Sequence, residues 1–341
     1  MKMIWLLLCT CLFAFAEEKV LYVYNWSEYM PQSVLKAFQK ETGIKVKYST
    51  YDSNEAMYAK IKTDKSSSYD IVIPSTYFVS KMAKEGLLAK IDKQKLTYYN
   101  TLNPTLLNQA FDPNNDYSIP YVWGSTGMSY NAKTLGQGAL SQWSDLWNPA
   151  YKNKLLLTDD LREVFGMTLK SLGYSANTTD AKQIEQAYEK LKTLMPNVKV
   201  FNSESPKQVY LNKEVVAGMN FNGESFMASQ ESPDIKYVYP KEGVLLWVDS
   251  LVIPKNAKNV ENAHIFINYM LRPEVSKIVS QELGYASPNS KTLNLLPKEI
   301  SSNRTIYPTD EDLKNSEFQV DFGDEALKVY EKFWEKLKAE K

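Results

Sequence analysis

Acidic and aromatic side chains occur together in this chain where strands and helices are expected to end or begin. Trp26 and Glu28 follow the strand-like stretch 20–24. Trp247 and Asp249 are two residues apart in an apolar strand, so their side chains point to the same face. An acid inside such a strand is costly unless it is paired or lines a cavity. Asp249 is therefore a candidate for contact with a cation.

A third pair, Asp160 and Glu163, opens a predicted helix and lies on one face of it. Taken alone, this pair is typical of a capping box, because carboxylates suit the positive end of a helix. Trp247 taken alone would equally suit a hydrophobic core, and residues 26–29 an ordinary loop.

Ser75 and Tyr77 follow a buried strand, and Tyr285 lies in the turn-rich segment "GYASPN". Open α/β sheets bind ligands outside the carboxyl ends of their strands, which is where Trp26, Ser75 and Tyr77 fall. Aromatic faces attract cations and cover methylene groups, and carboxylates anchor ammonium groups. Together these residues predict one site for a small, flexible organic cation with apolar stretches.

Several classes of chemistry lack essential residues. His264 is the single histidine, and it lies in a helical pattern that favours a packing role. Histidine-based zinc sites and Ser-His-Asp or Cys-His triads therefore lose required groups, and no phosphate-binding loop occurs. Paired carboxylates can hydrolyse glycosides, so a secreted glycosidase remains an alternative. We expect no metal and no cofactor.

The first 16 residues are typical of a signal peptide. Lys2 precedes an apolar stretch, and Ala14-Phe15-Ala16 suits cleavage before Glu17. Cys9 and Cys11 leave a lipoprotein signal as the alternative. Cleavage would leave 325 residues (341 minus 16) with 39 basic and 40 acidic side chains and no thiol. This balance argues against a nucleic-acid partner, which needs a basic face.

Strand and helix patterns alternate from residue 20 to Gly86, which predicts a mainly parallel sheet with helices on both faces. Gly124 and Gly127 flank a small-residue segment that predicts a crossover into a second α/β domain. The apolar strand 244–254 is long enough to run back into the first domain. The final segment "ALKVYEKFWEKLK" has helical apolar spacing and predicts a docked amphipathic helix.

The chain resembles the spermidine/putrescine-binding periplasmic proteins of polyamine ABC importers, from about Leu21 to the C-terminus. The resemblance is carried by long colinear segments, among them "YNWSEYMP", "KETGIKVKYSTYDSNEAMYAK", "YDIVIPSTY", "FDPNNDYSIPYVWGST", "LLLTDDLREVF", "LGYSANTTD", "WVDSLVIP" and "GYASPN". It implies a non-enzymatic, monomeric periplasmic protein that captures a polyamine and delivers it to a membrane ABC permease. A binder of another organic cation or of a sugar is the alternative.

The implied fold is α/β, with two lobes, each a mainly parallel sheet flanked by helices, joined by a hinge. We expect a signal peptide at 1–16, a first lobe at 17–124 plus 250–293, and a second lobe at 128–246 plus 296–341. The hinge is expected near 125–127, 247–249 and 294–295.

The resemblance also implies the residues that line the cleft. They are Trp26, Ser27, Glu28, Tyr29, Ser75, Tyr77, Asp160, Glu163, Phe221, Trp247, Asp249, Tyr285 and Gln319. Phe221 stands where the spermidine-preferring pattern has tryptophan, and Ser27 replaces threonine, whereas Glu28 follows that pattern. We expect spermidine to bind more tightly than putrescine, because the acids favour a trication over a dication.

Overall fold

A computed structural model describes residues 19–27 and 29–339 of the chain. The predicted signal peptide, residues 1–16, and the predicted cleft residue Glu28 lie outside the described residues. No helix in the part described is long and apolar enough to span a membrane.

The described strands are β1 (Val20–Trp26), β2 (Lys45–Tyr51), β3 (Ile71–Val72), β4 (Leu88–Ala89), β5 (Ser118–Asn131), β6 (Leu155–Leu157), β7 (Val198–Phe201), β8 (Ala217–Phe221), β9 (Ile235–Val238), β10 (Leu245–Pro254) and β11 (Glu317–Phe318). The described α-helices are α1 (Gln32–Thr42), α2 (Asn54–Thr63), α3 (Thr76–Lys84), α4 (Ala132–Leu135), α5 (Leu161–Ser171), α6 (Ala181–Leu194), α7 (Pro206–Leu211), α8 (Asn222–Glu231), α9 (Val260–Met270), α10 (Pro273–Leu283), α11 (Lys298–Ser301) and α12 (Gly323–Ala339).

The strands form one continuous mixed sheet with the order β2-β1-β3-β10-β5-β8-β6-β7. Strand β1 pairs in parallel with β2 and β3, and β6 pairs in parallel with β7 and β8. Strands β5 and β10 are antiparallel to each other, and β10 is also antiparallel to β3. The predicted α/β sheet flanked by helices is confirmed, with parallel outer strands and two antiparallel strands between them.

Strand β5 runs without a break through Gly124 and Gly127, the two glycines that predicted a crossover between domains. A Cβ on Gly124 would lie 2.6 Å from the Trp247 ring, and one on Gly127 would lie 2.6 Å from the Tyr237 hydroxyl oxygen. These glycines therefore permit close packing on a strand and do not mark a turn. The segment still crosses the molecule, because its last residues pair with β8 and β9.

Strand β10 makes the return crossing that its length predicted. Its first residues pair with β11, and its last residues pair with β3 and β4. The register with β5 shifts between Asp249 and Ser250, a bulge that bends the strand. The crossings lie near the predicted hinge, whose limits, like the lobe boundaries, stay predictions.

Each half of the sheet has a hydrophobic core on both faces, because strand side chains alternate. In the first half, Leu21 and Val23 face α1, α9 and α10, whereas Tyr24 and Val72 face α2 and α3. In the second half, one core lies beneath α5, α6 and α12 and a smaller one beneath α7 and α8. The docked C-terminal helix is confirmed, and it buries Leu337 completely.

His264 has the packing role that its helical pattern predicted. It is 4% exposed. Its Nε2 accepts a hydrogen bond from the backbone N–H of Asp92 at 2.9 Å, and its Nδ1 lies 2.8 Å from the Val260 carbonyl oxygen. This arrangement ties α9 to the segment that follows β4.

Candidate ligand-binding site

A cavity of about 980 Å³, part of it open to solvent, lies between the two halves of the sheet. All twelve of the predicted site residues that the structure describes line it: Trp26, Ser27, Tyr29, Ser75, Tyr77, Asp160, Glu163, Phe221, Trp247, Asp249, Tyr285 and Gln319. The structure thus brings together residues from seven separate stretches of the sequence, while their role in binding stays a prediction.

Asp249 is the centre of one polar group in the cavity. It lies on β10 at the bulge and is 5% exposed. The Tyr29 hydroxyl donates to its Oδ2 at 2.6 Å, and the Ser75 hydroxyl donates to its Oδ1 at 2.6 Å. Burial raises the pKa of Asp249 to about 6, although these two hydrogen bonds act in the opposite direction. The carboxylate is fixed in place, and no cationic side chain of the described residues forms an ion pair with it.

Asp160 and Glu163 form a second acidic group at the start of α5. Asp160 is the N-cap residue, and its Oδ1 accepts hydrogen bonds from the backbone N–H groups of Arg162 and Glu163 at 2.7 and 3.1 Å. The capping interpretation is therefore confirmed for Asp160, and its carboxylate also faces the cavity. Burial raises the pKa of Asp160, and the charge of Arg162 reduces this shift.

Glu163 is held differently from Asp160. Its Oε1 accepts a hydrogen bond from the Gln319 side chain at 3.0 Å, and its buried Oε2 has no hydrogen-bond partner in the described part of the chain. Burial, and then the charge of Asp160, raise the pKa of Glu163 to about 8. One oxygen of this carboxyl group therefore remains available to a ligand.

Glu55 is an acid that the sequence reasoning missed. It lies in the first turn of α2, where an acid normally signals only helix capping, and it lines the cavity opposite α5. Partial loss of hydration at the cavity, and then the charge of Asp160, raise the pKa of Glu55, although the residue as a whole stays exposed. Carboxylates from both halves of the molecule therefore face the same space.

Aromatic rings form the apolar surfaces of the cavity. The Trp26 ring lies 4.8 Å from the ring of Tyr51, another residue that the sequence reasoning missed. Trp247 packs edge-to-face on Tyr285 at 5.1 Å, and Phe221 approaches Trp247 at 6.2 Å. Such mutually packed rings restrict one another's orientation and give the cavity defined apolar walls.

Two of the predicted site residues, Tyr77 and Ser27, differ in their burial and in their hydrogen bonds. Tyr77 is 7% exposed, and its hydroxyl has no hydrogen-bond partner among the described residues. Ser27 is exposed at the rim, where its hydroxyl donates to Asp52 at 3.0 Å. Asp52 lay in a segment that indicated only a loop, so nothing local identified it as part of the cavity.

The charge of the cavity is one-sided. Eight of the described lining residues are acidic and none is basic; the acids are Asp52, Glu55, Asp159, Asp160, Glu163, Glu204, Glu224 and Asp249. No ion pair within the described chain involves Asp160, Glu163 or Asp249. No group of three or more His, Cys, Asp or Glu side chains in that same part is arranged to hold a metal ion. Elementary electrostatics favours an organic cation between these walls.

Comparison with known proteins gives consistent matches along the whole chain. Residues 33–308 match the profile of the bacterial extracellular solute-binding proteins. The spermidine/putrescine-binding periplasmic protein of Escherichia coli (strain K12) is 54% identical, over 95% of this chain and 92% of that protein. A putrescine-binding periplasmic protein of the same organism is 32% identical, over 96% and 93%. The solved structure of a putative spermidine/putrescine ABC transporter from Listeria monocytogenes superposes with a TM-score of 0.91 at 42% identity, over 95% of this chain and 100% of that one.

Proposed function

This chain belongs to the family of bacterial extracellular solute-binding proteins, and we propose that its solute is a polyamine, spermidine in preference to putrescine. The family binds solutes for transport, so the prediction of a binding protein and not an enzyme is confirmed. The names of the similar proteins support the polyamine assignment, and the chemistry of the cavity supports it independently.

The observation that carries the proposal is that the buried carboxylates of Asp160, Glu163 and Asp249 form no ion pair within the described residues. Ionised carboxylates are costly in a buried site, and that same burial raises the pKa of both Asp249 and Glu163. A protonated amine placed beside each group removes the cost and gains a charge-assisted hydrogen bond. A neutral sugar would leave the carboxylates uncompensated, which disfavours the sugar alternative.

The carboxylates form two centres, which favours a ligand with more than one amine. Asp160 contributes to the raised pKa of both Glu163 and Glu55, whereas Asp249 responds chiefly to burial and to its hydrogen bonds with Ser75 and Tyr29. A chain of methylenes between two amines would pass over the aromatic walls. Each methylene that is buried there contributes about 0.8 kcal/mol.

The preference for spermidine follows from charge and length. Spermidine carries three ammonium groups at neutral pH and putrescine two, so the trication offsets more of the acidic repulsion in the same cavity. Its longer chain also covers more aromatic surface. Phe221 reduces this advantage because its ring is smaller than that of tryptophan. Glu28 is retained in the proposal as a contact for a terminal amine.

We also propose that a signal peptide directs the protein to the periplasm and is cleaved after Ala16. There the protein acts as a monomer that docks on an ABC permease. The similar proteins are named as periplasmic, which supports the location. N-terminal sequencing of protein from a periplasmic fraction should begin at Glu17. A lipid-modified cysteine at the N-terminus would instead identify a lipoprotein.

A thermal-shift panel tests the ligand class. The mature chain is heated with spermidine, putrescine, a cationic amino acid or a neutral oligosaccharide at equal concentration. At 100 times its Kd a ligand adds about 2.7 kcal/mol of stability, which raises the Tm measurably. We expect spermidine to give the largest shift and putrescine a smaller one. A shift with the oligosaccharide or the amino acid, and none with either polyamine, would refute the proposal.

A further inference from the structure

One face of α3 carries three side chains at helical spacing, Tyr77, Lys81 and Lys84, each of which contacts the opposite half of the molecule. Only Tyr77 lines the cavity. We propose that Lys81 and Lys84 are positioning residues that hold the cleft closed and so set the affinity for the ligand without touching it. This inference rests on the proposed polyamine-binding function and on the proposed division into two lobes.

The two lysines pair with acids at the start of α12. The Lys81 Nζ lies 2.7 Å from Asp324 Oδ1, and the Lys84 Nζ lies 2.7 Å from Asp321 Oδ2. Asp321 also accepts a hydrogen bond from the backbone N–H of Gly323 at 3.0 Å, so it is fixed to the first turn of that helix. The Asp321 carboxylate is therefore held in position by a backbone contact independent of Lys84.

The two ends of these ion pairs are anchored in different hydrophobic cores. On α3, Val79 and Met82 are fully buried in the core of the first lobe. On α12, Tyr330 and Leu337 are buried in the core beneath α5 and α6. A change in the angle between the lobes must therefore separate Lys81 and Lys84 from their partners.

The contact extends inward to the cavity through Arg162. Its guanidinium carbon lies 4.7 Å from the centre of the Tyr77 ring and 3.7 Å from that of Phe322. It also donates to the Val320 carbonyl oxygen at 3.0 Å. That segment carries Gln319, which donates to Glu163 at 3.0 Å. The face of α3 is thus connected to the acidic centre that the ligand is proposed to neutralise.

The distribution of ion pairs among the described residues supports a closing role for the contact between α3 and the start of α12. The Lys81–Asp324 and Lys84–Asp321 pairs alone join the two proposed lobes, whereas the others lie within one lobe, as Lys90–Asp116 and Lys95–Glu261 do. Lys81 is the better shielded of the two lysines, with its side chain 18% exposed. Attraction across the closed rim lowers the free energy of the closed state, and apparent affinity follows the population of that state.

The effect of neutralising these lysines distinguishes closure from simple attraction. Removing two positive charges makes the protein more negative, which by long-range attraction alone would tighten the binding of a polycation. Loss of two closing ion pairs should instead weaken it, by about three- to thirtyfold for partly exposed pairs. Loss of the closing ion pairs therefore predicts weaker binding, whereas long-range attraction alone predicts tighter binding.

The test compares Lys81→Gln/Lys84→Gln with the matched control Lys90→Gln/Lys95→Gln, which changes the charge equally and breaks two pairs within one lobe. Spermidine titrations by calorimetry should show weaker binding for the first variant and unchanged or tighter binding for the control. Asp324→Asn should weaken binding as Lys81→Gln does, and combining the two should add little. Equal or tighter binding by Lys81→Gln/Lys84→Gln, or equal weakening by the control, would overturn the inference.

Small-angle scattering of the ligand-free proteins separates this inference from the function on which it rests. If wild type binds neither polyamine, the proposed function fails, and the radius of gyration then decides the role of the lysines. Lys81→Gln/Lys84→Gln should have a larger radius than wild type and than the control. Equal radii in that case would overturn the inference, while unchanged circular dichroism spectra show that all variants are folded.

Discussion

Replacing Asp249 by asparagine should separate ligand binding from stability. The side chain is buried on β10, with hydroxyl hydrogen bonds from Tyr29 and Ser75 at 2.6 Å each. Asparagine keeps the shape and an acceptor oxygen for one hydroxyl, and the other hydroxyl can accept from its amide. The substitution therefore removes the charge with little change in packing.

The expected magnitude follows from the two states of the cavity. With ligand, loss of one partner of a buried charge pair costs about 3–5 kcal/mol, a reduction in affinity of about a hundredfold to a few thousandfold. Without ligand, the pKa of about 6 for Asp249, against 3.8 ordinarily, means that the ionised group costs roughly 3 kcal/mol at neutral pH. The variant should therefore bind more than a hundredfold more weakly, yet be at least as stable as wild type when unliganded.

Calorimetry with spermidine and thermal unfolding without ligand measure the two effects. Asp52→Asn is the matched control, because Asp52 lines the same cavity but is exposed. It should change the affinity by less than about threefold, as expected for a screened charge. Spermidine affinity within threefold of wild type for Asp249→Asn would remove Asp249 from the binding site. A large loss of unliganded stability would refute the argument that its charge is uncompensated.

Four further predictions follow from the residues that line the cavity. A bound amine should lower the pKa of Glu163 from about 8, so ligand binding near pH 7 should release a proton and should tighten as pH rises from about 6 to 8. Calorimetry in buffers of different ionisation enthalpy measures the proton release, and a value of zero would contradict the prediction. Because that folded-state pKa exceeds its unfolded value, Glu163 should make unliganded stability fall as pH rises from about 4.5 to 8, which Tm measurements with Glu163→Gln as control can check. Phe221→Trp should enlarge the aromatic wall and favour spermidine over putrescine by a few-fold; an unchanged ratio of Kd values would exclude Phe221 as a specificity determinant. Gly124→Ala should displace the Trp247 ring and weaken binding at least tenfold, whereas binding equal to wild type would show that the ring position is unimportant.

The sequence predicted those parts of the site whose residues conflict with their local surroundings. Asp249 stood out because an acid is unfavourable in an apolar strand, and the structure shows it buried at a bulge. The first three strands and their helices were equally predictable, because their apolar spacing is a local signal. In the structure Gly43 ends α1 in the left-handed region, with φ of 70°.

The remaining features depend on contacts that no local pattern records. Glu55 resembles any acid in a first helical turn, and only the position of α5 opposite it makes it part of the cavity. Phe221 and Gln319 were recognised only through the family resemblance. The start of α8 depends likewise on distant contacts, because Asn222 is fixed there by hydrogen bonds to Ser125 and Thr305.

A crystal structure of the mature chain grown with spermidine tests the central claim most directly. We predict one spermidine in the cavity between the two halves of the sheet, with one amine within about 3 Å of the Asp249 carboxylate, as for a charge-assisted hydrogen bond, and another equally close to Glu163. The methylenes should lie against Trp26 and Trp247. Spermidine bound elsewhere on the protein, or with its amines away from both carboxylates, would contradict the account.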